Sequence, residues 1–157
     1  MFSRPNWDEF WMMMADLASK RSACVNYKVG AVLVRNKQIL TLGYNGPVSG
    51  DSHCEEIGCA KMRDGVKLPP GSGMCRGSHG ELNAIANAAN LGIFISGASL
   101  YVTWRPCYSC AKQIVNAGIK RVVYLREYDG EPEAISLFRK TSVDLIRFNT
   151  ISNLKLD

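Results

Sequence analysis

His79-Gly80-Glu81 and Pro106-Cys107-Tyr108-Ser109-Cys110 are the two stretches of this chain whose residue types and spacing can do chemistry. The first sets an imidazole and a carboxylate two residues apart, and the second sets two thiols three residues apart. Two thiolates and a neutral imidazole make three ligands. A catalytic zinc site takes three protein ligands and keeps one position open for water. Cys107 and Cys110 stand at i and i+3, so on a helix they share one face of the first turn. The positive end of that helix lowers thiol pKa and favours the thiolates that a metal needs. Glu81 is too close to His79 in sequence to serve as a fourth ligand. It reads as the general acid/base that takes a proton from a metal-acidified water and returns it elsewhere.

Both motifs need elements that bring them together. Asn6 caps a first helix, with Glu9 three positions later as its capping-box partner. Phe10, Met13, Met14, Leu17 and Ala18 recur at helical spacing and predict its apolar, core-facing side. The adjacent methionines read as core filler. Residues 29–34 form a β-branched run read as a buried strand, and 38–43 its hairpin partner across the turn 35–37. Residues 47–78 are long, irregular and rich in glycine and proline. A helix then begins near His79 and runs to Gly92. A strand over 98–103 leads into a helix starting at Pro106 and ending near Gly118. The pattern closes with a strand over 121–125, a helix over 131–140 and a strand over 143–148; the tail from Thr150 is assigned nothing. Single helices between strands predict parallel pairing, and the opening hairpin makes the sheet mixed. The expected fold is a three-layer α/β/α sandwich around a five-stranded mixed sheet.

The chain has 157 residues, enough for one domain with a proper core. Its 46% hydrophobic and 21% charged content is that of an ordinary globular protein. No run approaches the roughly 20 apolar residues of a membrane span, and the start lacks a signal-peptide pattern. A cytoplasmic location is therefore expected. The net charge of +5 is compatible with an anionic partner. The basic residues are scattered, as on any solvated surface, which argues against a nucleic-acid groove. Six cysteines in such a chain suggest metal binding more than disulfides. Cys24, Cys54, Cys59 and Cys75, with His53 as an alternative to one thiol, suit a second, structural zinc that would hold down 47–78. The alternative is free or partly buried thiols.

H-x-E followed by a strand and then P-C-x-x-C is the signature of zinc deaminases. The chain resembles the deoxycytidylate (dCMP) deaminases of the cytidine deaminase superfamily over about residues 5–148. The resemblance rests on Lys28-Val29-Gly30-Ala31-Val32, Gly43-Tyr44-Asn45-Gly46, His53-Cys54, His79 through Glu81-Leu82-Asn83-Ala84-Ile85, Tyr101-Val102-Thr103 leading to Pro106-Cys107, Ala117-Gly118-Ile119-Lys120 and Tyr128-Asp129. It implies a cytidine deaminase-like fold and hydrolytic replacement of the amine at C4 of a cytosine ring. Glu81 would pass protons to N3 and then to the leaving amine. It also implies the extra zinc, oligomers that are often hexamers, activation by dCTP, inhibition by dTTP, and Mg²⁺ with a nucleotide effector. Other cytosine substrates, dCTP or cytidine, and a catalytically silent zinc-binding assembly module are the alternatives.

The family usually has alanine where this chain has Gly80, whose backbone amide would still reach a base; the added flexibility would loosen the pocket floor. By the resemblance Asn45 contacts the sugar or base, its alternative being a turn residue before Gly46. Tyr128 matches a tyrosine near the phosphate, its alternative being a core residue. Trp104, at the rim of the metal motif, can pack on a base or simply close a strand. Arg105 can meet a phosphate or stand solvated on the surface.

Overall fold

Asn6 starts the first helix as its sequence implies. In the computed structural model, which describes residues 4–68 and 74–149, its Oδ1 accepts from the Glu9 N–H at 2.9 Å. The Glu9 carboxylate answers from the Asn6 N–H at 2.7 Å. The helix, α1, spans Trp7–Ser19. Strands β1 (Gly30–Arg35) and β2 (Gln38–Tyr44) form the expected hairpin.

The segment expected to be irregular has more order than its composition suggests. β3 (Gly46–Pro47) pairs with β6 (Gly77–Ser78) and closes the segment at its base. Between them lie the one-turn helix α2 (Cys54–Ile57) and the small hairpin β4 (Met62–Arg63) and β5 (Val66–Lys67). Asp64 and Gly65 make its two-residue turn with φ of 49° and 76°, the left-handed pair that an Asp-Gly dipeptide favours. Then follow α3 (Gly80–Leu91), β7 (Ser99–Trp104), α4 (Tyr108–Asn116), β8 (Arg121–Arg126), α5 (Pro132–Lys140) and β9 (Asp144–Arg147). Pro69, Pro70, Gly71, Gly73 and the tail from Thr150 lie outside the described residues.

The five-stranded sheet has the order β2-β1-β7-β8-β9. β1 is antiparallel to both its neighbours, and β7, β8 and β9 are mutually parallel. One face packs Ala31, Leu33, Leu100, Val102 and Val122 against Ala84 of α3, Ile114 of α4 and Phe138 of α5. The other packs Val32, Val34, Tyr101 and Val123 against Trp11, Met12 and Ala15 of α1. The sandwich is thus the expected three-layer α/β/α form.

The side of α1 that meets the sheet is only partly the expected one: Ala18 is buried and Met14 packs against the core, but the rest of that stripe does not. Phe10, Met13 and Leu17 are 37%, 39% and 64% exposed, while Trp11, Met12, Ala15, Ala18 and Ser19 are buried. The helix carries two apolar stripes, and close approach selects between them. A Cβ on Gly30 would stand 2.0 Å from the Ala15 carbonyl oxygen and 2.4 Å from the Ser19 nitrogen. β1 therefore lies nearly against the α1 backbone, where only a stripe of small residues fits. Of the adjacent methionines, Met12 alone is fully buried. Polar contacts lock the same interface. Arg121 on β8 grips both Asp8 oxygens at 3.1 and 3.0 Å, and the Tyr101 hydroxyl donates to Asp8 at 2.5 Å. The Arg121 guanidinium holds the Asp8 carboxyl below its ordinary range. Burial, with the neighbouring Asp8, pushes the Tyr101 phenol up to about 12. No helix of the described residues is long and apolar enough to cross a membrane.

Candidate active site

Two helix N-termini meet in this fold, one after the β6 ladder and one after β7. His79 is the N-cap of α3 and Cys107 the N-cap of α4, and neither side chain caps its own helix. An N-cap side chain ordinarily bonds the first free amides of its helix. Here both turn toward each other instead. His79 Nδ1 lies 3.2 Å from Cys110 Sγ and 3.5 Å from Cys107 Sγ. The three ligand atoms all fall within 4.8 Å of one another, the one such set of three or more among the described residues. Tetrahedral zinc with bonds of about 2.0 Å to nitrogen and 2.3 Å to sulfur needs N···S separations of about 3.5 Å. The donor set and its spacing therefore suit zinc. Cys107 precedes the first helical residue rather than sharing a turn with Cys110, so the thiols approach from the cap and from the first turn.

Charge in the site follows from these contacts. The Cys110 thiol donating to Cys107, helped by His79, holds Cys107 down at about 4, and Cys110 is pushed up in turn. The Cys107 sulfur raises the His79 imidazole. Glu81 stands in the first turn of α3 at 4% exposure. Burial lifts its carboxyl to about 7, and its side chain touches the Cys110 thiol. Gly80, between the two, is packed tightly and not loosely. A Cβ there would meet the Val29 carbonyl oxygen at 3.2 Å and Val29 Cγ1 at 3.3 Å, so the floor beneath the site is firm.

A cavity of about 510 Å³ opens over His79 and Glu81. Asn45, Trp104 and Tyr128 line it, and Gly80 is not among its lining residues. Asn45 also ties down the segment before β1: its Oδ1 accepts from the Val29 N–H at 2.8 Å and its Nδ2 donates to the Tyr27 carbonyl at 2.9 Å. Trp104 packs edge-on against Tyr27, ring centroids 5.4 Å apart.

Arg105 is neither solvated nor open to a phosphate. It is 3% exposed, paired with Glu127, and donates to the carbonyls of Gly130 at 2.6 Å and Tyr128 at 3.2 Å. Its guanidinium lies 4.4 Å from the centre of the Tyr128 ring. It is the staple of the loop that joins β8 to α5.

That loop contributes a residue the sequence reading missed. The Glu131 carboxylate accepts from the Tyr108 N–H at 2.6 Å and from the Tyr128 hydroxyl at 3.1 Å. It thereby caps the helix carrying the two thiols and steadies Tyr128 over the cavity. Pro132 at the first turn of α5 marks the residue before it as a cap, the one signal that pointed to Glu131.

Cys24, Cys54, Cys59 and Cys75 also line the cavity. Their four sulfurs do not close to the spacing of the first set, although Cys54 is near enough to feel the charge of the other three. His53, at the cap of α2, does not line the cavity.

A family profile, the cytidine and deoxycytidylate deaminase zinc-binding region, matches residues 5–126. This chain belongs to that family. ComE operon protein 2 of Bacillus subtilis (strain 168) is 36% identical over 154 residues, 98% of this chain and 74% of that protein. The deoxycytidylate deaminase of Mycobacterium phage D29 is 38% identical over 130 residues, 80% of this chain and 98% of that protein. Among solved structures, the dCMP deaminase of cyanophage S-TIM5 in complex with dCMP and dUMP superposes with a TM-score of 0.77 at 32% identity. The match covers 94% of this chain and 100% of that chain. Members of this family carry a zinc-binding region, and the His79, Cys107 and Cys110 set falls within the matched residues.

Proposed function

We propose that this chain hydrolyses dCMP to dUMP and ammonia, with His79, Cys107 and Cys110 as zinc ligands and Glu81 as the proton carrier. The observation that carries this reading is the Glu81 carboxylate, nearly sealed from water, against a three-donor set at the base of a cavity large enough for a nucleotide. The similarity to a deaminase solved with dCMP and dUMP supports the choice of substrate. A zinc held by His79, Cys107 and Cys110 would supply a water acidified to near neutrality. Glu81 takes one proton from the water and passes it to N3 as the oxygen bonds to C4, then takes the remaining hydroxyl proton and passes it to the amine, so that the C4–N bond breaks as the C4 carbonyl forms. Asn45, Trp104 and Tyr128 line the cavity that would hold the nucleotide, and the Gly80 amide, at the start of α3, is assigned to the base by the family resemblance alone. A silent assembly module has no use for a buried carboxylate beside an open metal position.

The proposal extends to a single deaminase domain whose 47–78 segment is a zinc-holding insertion. Its support is that Cys24 accepts from the Asn26 and Tyr27 N–H groups at 3.4 and 3.5 Å, Cys59 from the Asn26 amide at 3.4 Å, and Cys54 from Arg76 at 3.6 Å. N–H groups of this kind orient and stabilise thiolate ligands. Two zinc ions per chain by elemental analysis supports that part, and one ion per chain sinks it. Cytoplasmic location, hexamer assembly and control by dCTP and dTTP with Mg²⁺ belong to the same proposal. The exposed stripe of Trp7, Phe10, Met13 and Leu17 on α1 supports assembly.

Ammonia release from dCMP, dCTP, cytidine and adenosine, with and without dCTP or dTTP as effector, tests the function. Turnover of dCMP ahead of the others is expected. A zinc-loaded protein that releases no ammonia from dCMP contradicts it.

A further inference from the structure

Four cationic side chains line the cavity, and their partners separate them. Arg105 is consumed by Glu127 and the loop carbonyls. Arg76 is consumed within the Cys-rich segment, by Asp51 at 3.5 Å and by the carbonyls of Ser52 at 3.0 Å and Gly58 at 3.2 Å. The remaining two, Lys61 and Lys67, belong to the β4–β5 hairpin. Lys67 touches only neutral groups, the Asn26 amide oxygen at 3.3 Å and the Tyr27 ring at 5.5 Å. Lys61 is half-buried, its ammonium makes no hydrogen bond and has no carboxylate partner among the described residues, and its charge is near enough to act on His79. The carboxylates that share the cavity are committed elsewhere: Glu81 against Cys110, and Glu131 at the Tyr108 amide and Tyr128 hydroxyl.

Holding a cation partly out of water with no counter-charge is unfavourable. Here the backbone enforces it. The Leu68 N–H donates to the Lys61 carbonyl at 2.7 Å, and Met62 pairs with Lys67, so both lysines stand at the open end of one small ladder. The Asp64-Gly65 turn fixes that ladder's register.

We infer that Lys61, seconded by Lys67, binds the 5′-phosphate of the nucleotide, so that the hairpin of the Cys-rich segment selects a nucleotide over a nucleoside. This rests on the proposed deamination of dCMP. An ammonium is a compact point charge that meets a phosphate without the fixed fork of an arginine. The pyrimidine then lies toward Glu81 and the phosphate toward the hairpin.

The test compares the zinc-loaded parent with Lys61→Met, Lys61→Arg and Lys67→Met, using dCMP and deoxycytidine as substrates. Calorimetric binding of dUMP and deoxyuridine runs beside the kinetics. Losing one charge-assisted contact lowers kcat/KM for dCMP about tenfold to a hundredfold in Lys61→Met, through KM, with kcat and deoxycytidine turnover unchanged. Lys61→Arg restores most of the loss, and Lys67→Met shows a smaller one. An unchanged KM for dCMP in Lys61→Met overturns the inference, as does an equal loss on dCMP and deoxycytidine. If the parent releases no ammonia from dCMP, the deamination reading fails, and the binding arm still decides Lys61. A parent preference for dUMP over deoxyuridine that survives Lys61→Met removes this role.

Discussion

Arg105→Ala is expected to destabilise the protein far more than the loss of a surface arginine. The side chain is 2% exposed and pairs with Glu127, whose side chain is 34% exposed. Removing one partner of a buried pair costs about 3–5 kcal/mol. Glu127 regains water once abandoned, which sets the loss at the low end, about 3 kcal/mol. The freed carbonyls of Tyr128 and Gly130 re-solvate as the loop opens and add little. Arg105→Lys keeps the charge and loses the fork that reaches Glu127 and the carbonyls together, for a loss of about 1–2 kcal/mol. Urea denaturation of the zinc-loaded protein reads both, as a lowered midpoint at unchanged slope. A loss below about 0.5 kcal/mol in Arg105→Ala, the range of an ordinary surface change, refutes the account of Arg105 as the loop's staple.

Two further expectations concern the scaffold. Asp8 is held below its ordinary pKa by Arg121, so its contribution is complete above the unfolded carboxylate value of about 3.9 and is lost as pH falls through the lower folded value. The stability gap between the parent and Asp8→Asn should stand at pH 7 and close on acidification to pH 2; a gap that does not vary with pH contradicts the ion pair. Gly80→Ala gains up to about 1 kcal/mol of helix propensity and meets the Val29 contacts at 3.2 and 3.3 Å, where overpacking costs about 1–3 kcal/mol. A net loss of about 1 kcal/mol by denaturation is expected, and net stabilisation would show that Val29 yields freely.

The chemistry was legible because it sits in local spacing. His79, Glu81, Cys107 and Cys110 are bound to their helix starts by two short motifs, and the fold brings those starts together. The Asn6–Glu9 cap and the strand runs were legible for the same reason. The packing side of α1 was only half legible, because the expected stripe of Phe10, Met13, Met14, Leu17 and Ala18 adjoins a second apolar one, Trp11, Met12 and Ala15. The choice between them lies in the approach of Gly30, a contact between distant residues. Arg105 was misread because its partners, Glu127 to Glu131, lie more than twenty positions downstream and join it only when β8 pairs with β7. The β4–β5 hairpin did carry a local signal, Asp64-Gly65, submerged in a segment whose many glycines and prolines argued for irregularity.

Glu81→Gln decides the central claim most directly. The variant keeps the side-chain volume and removes the proton acceptor. Zinc content and ammonia release from dCMP are measured on the same sample. The account predicts unchanged zinc at the His79, Cys107 and Cys110 site and a fall in kcat of at least about a hundredfold. Turnover that persists in a fully zinc-loaded Glu81→Gln protein contradicts it.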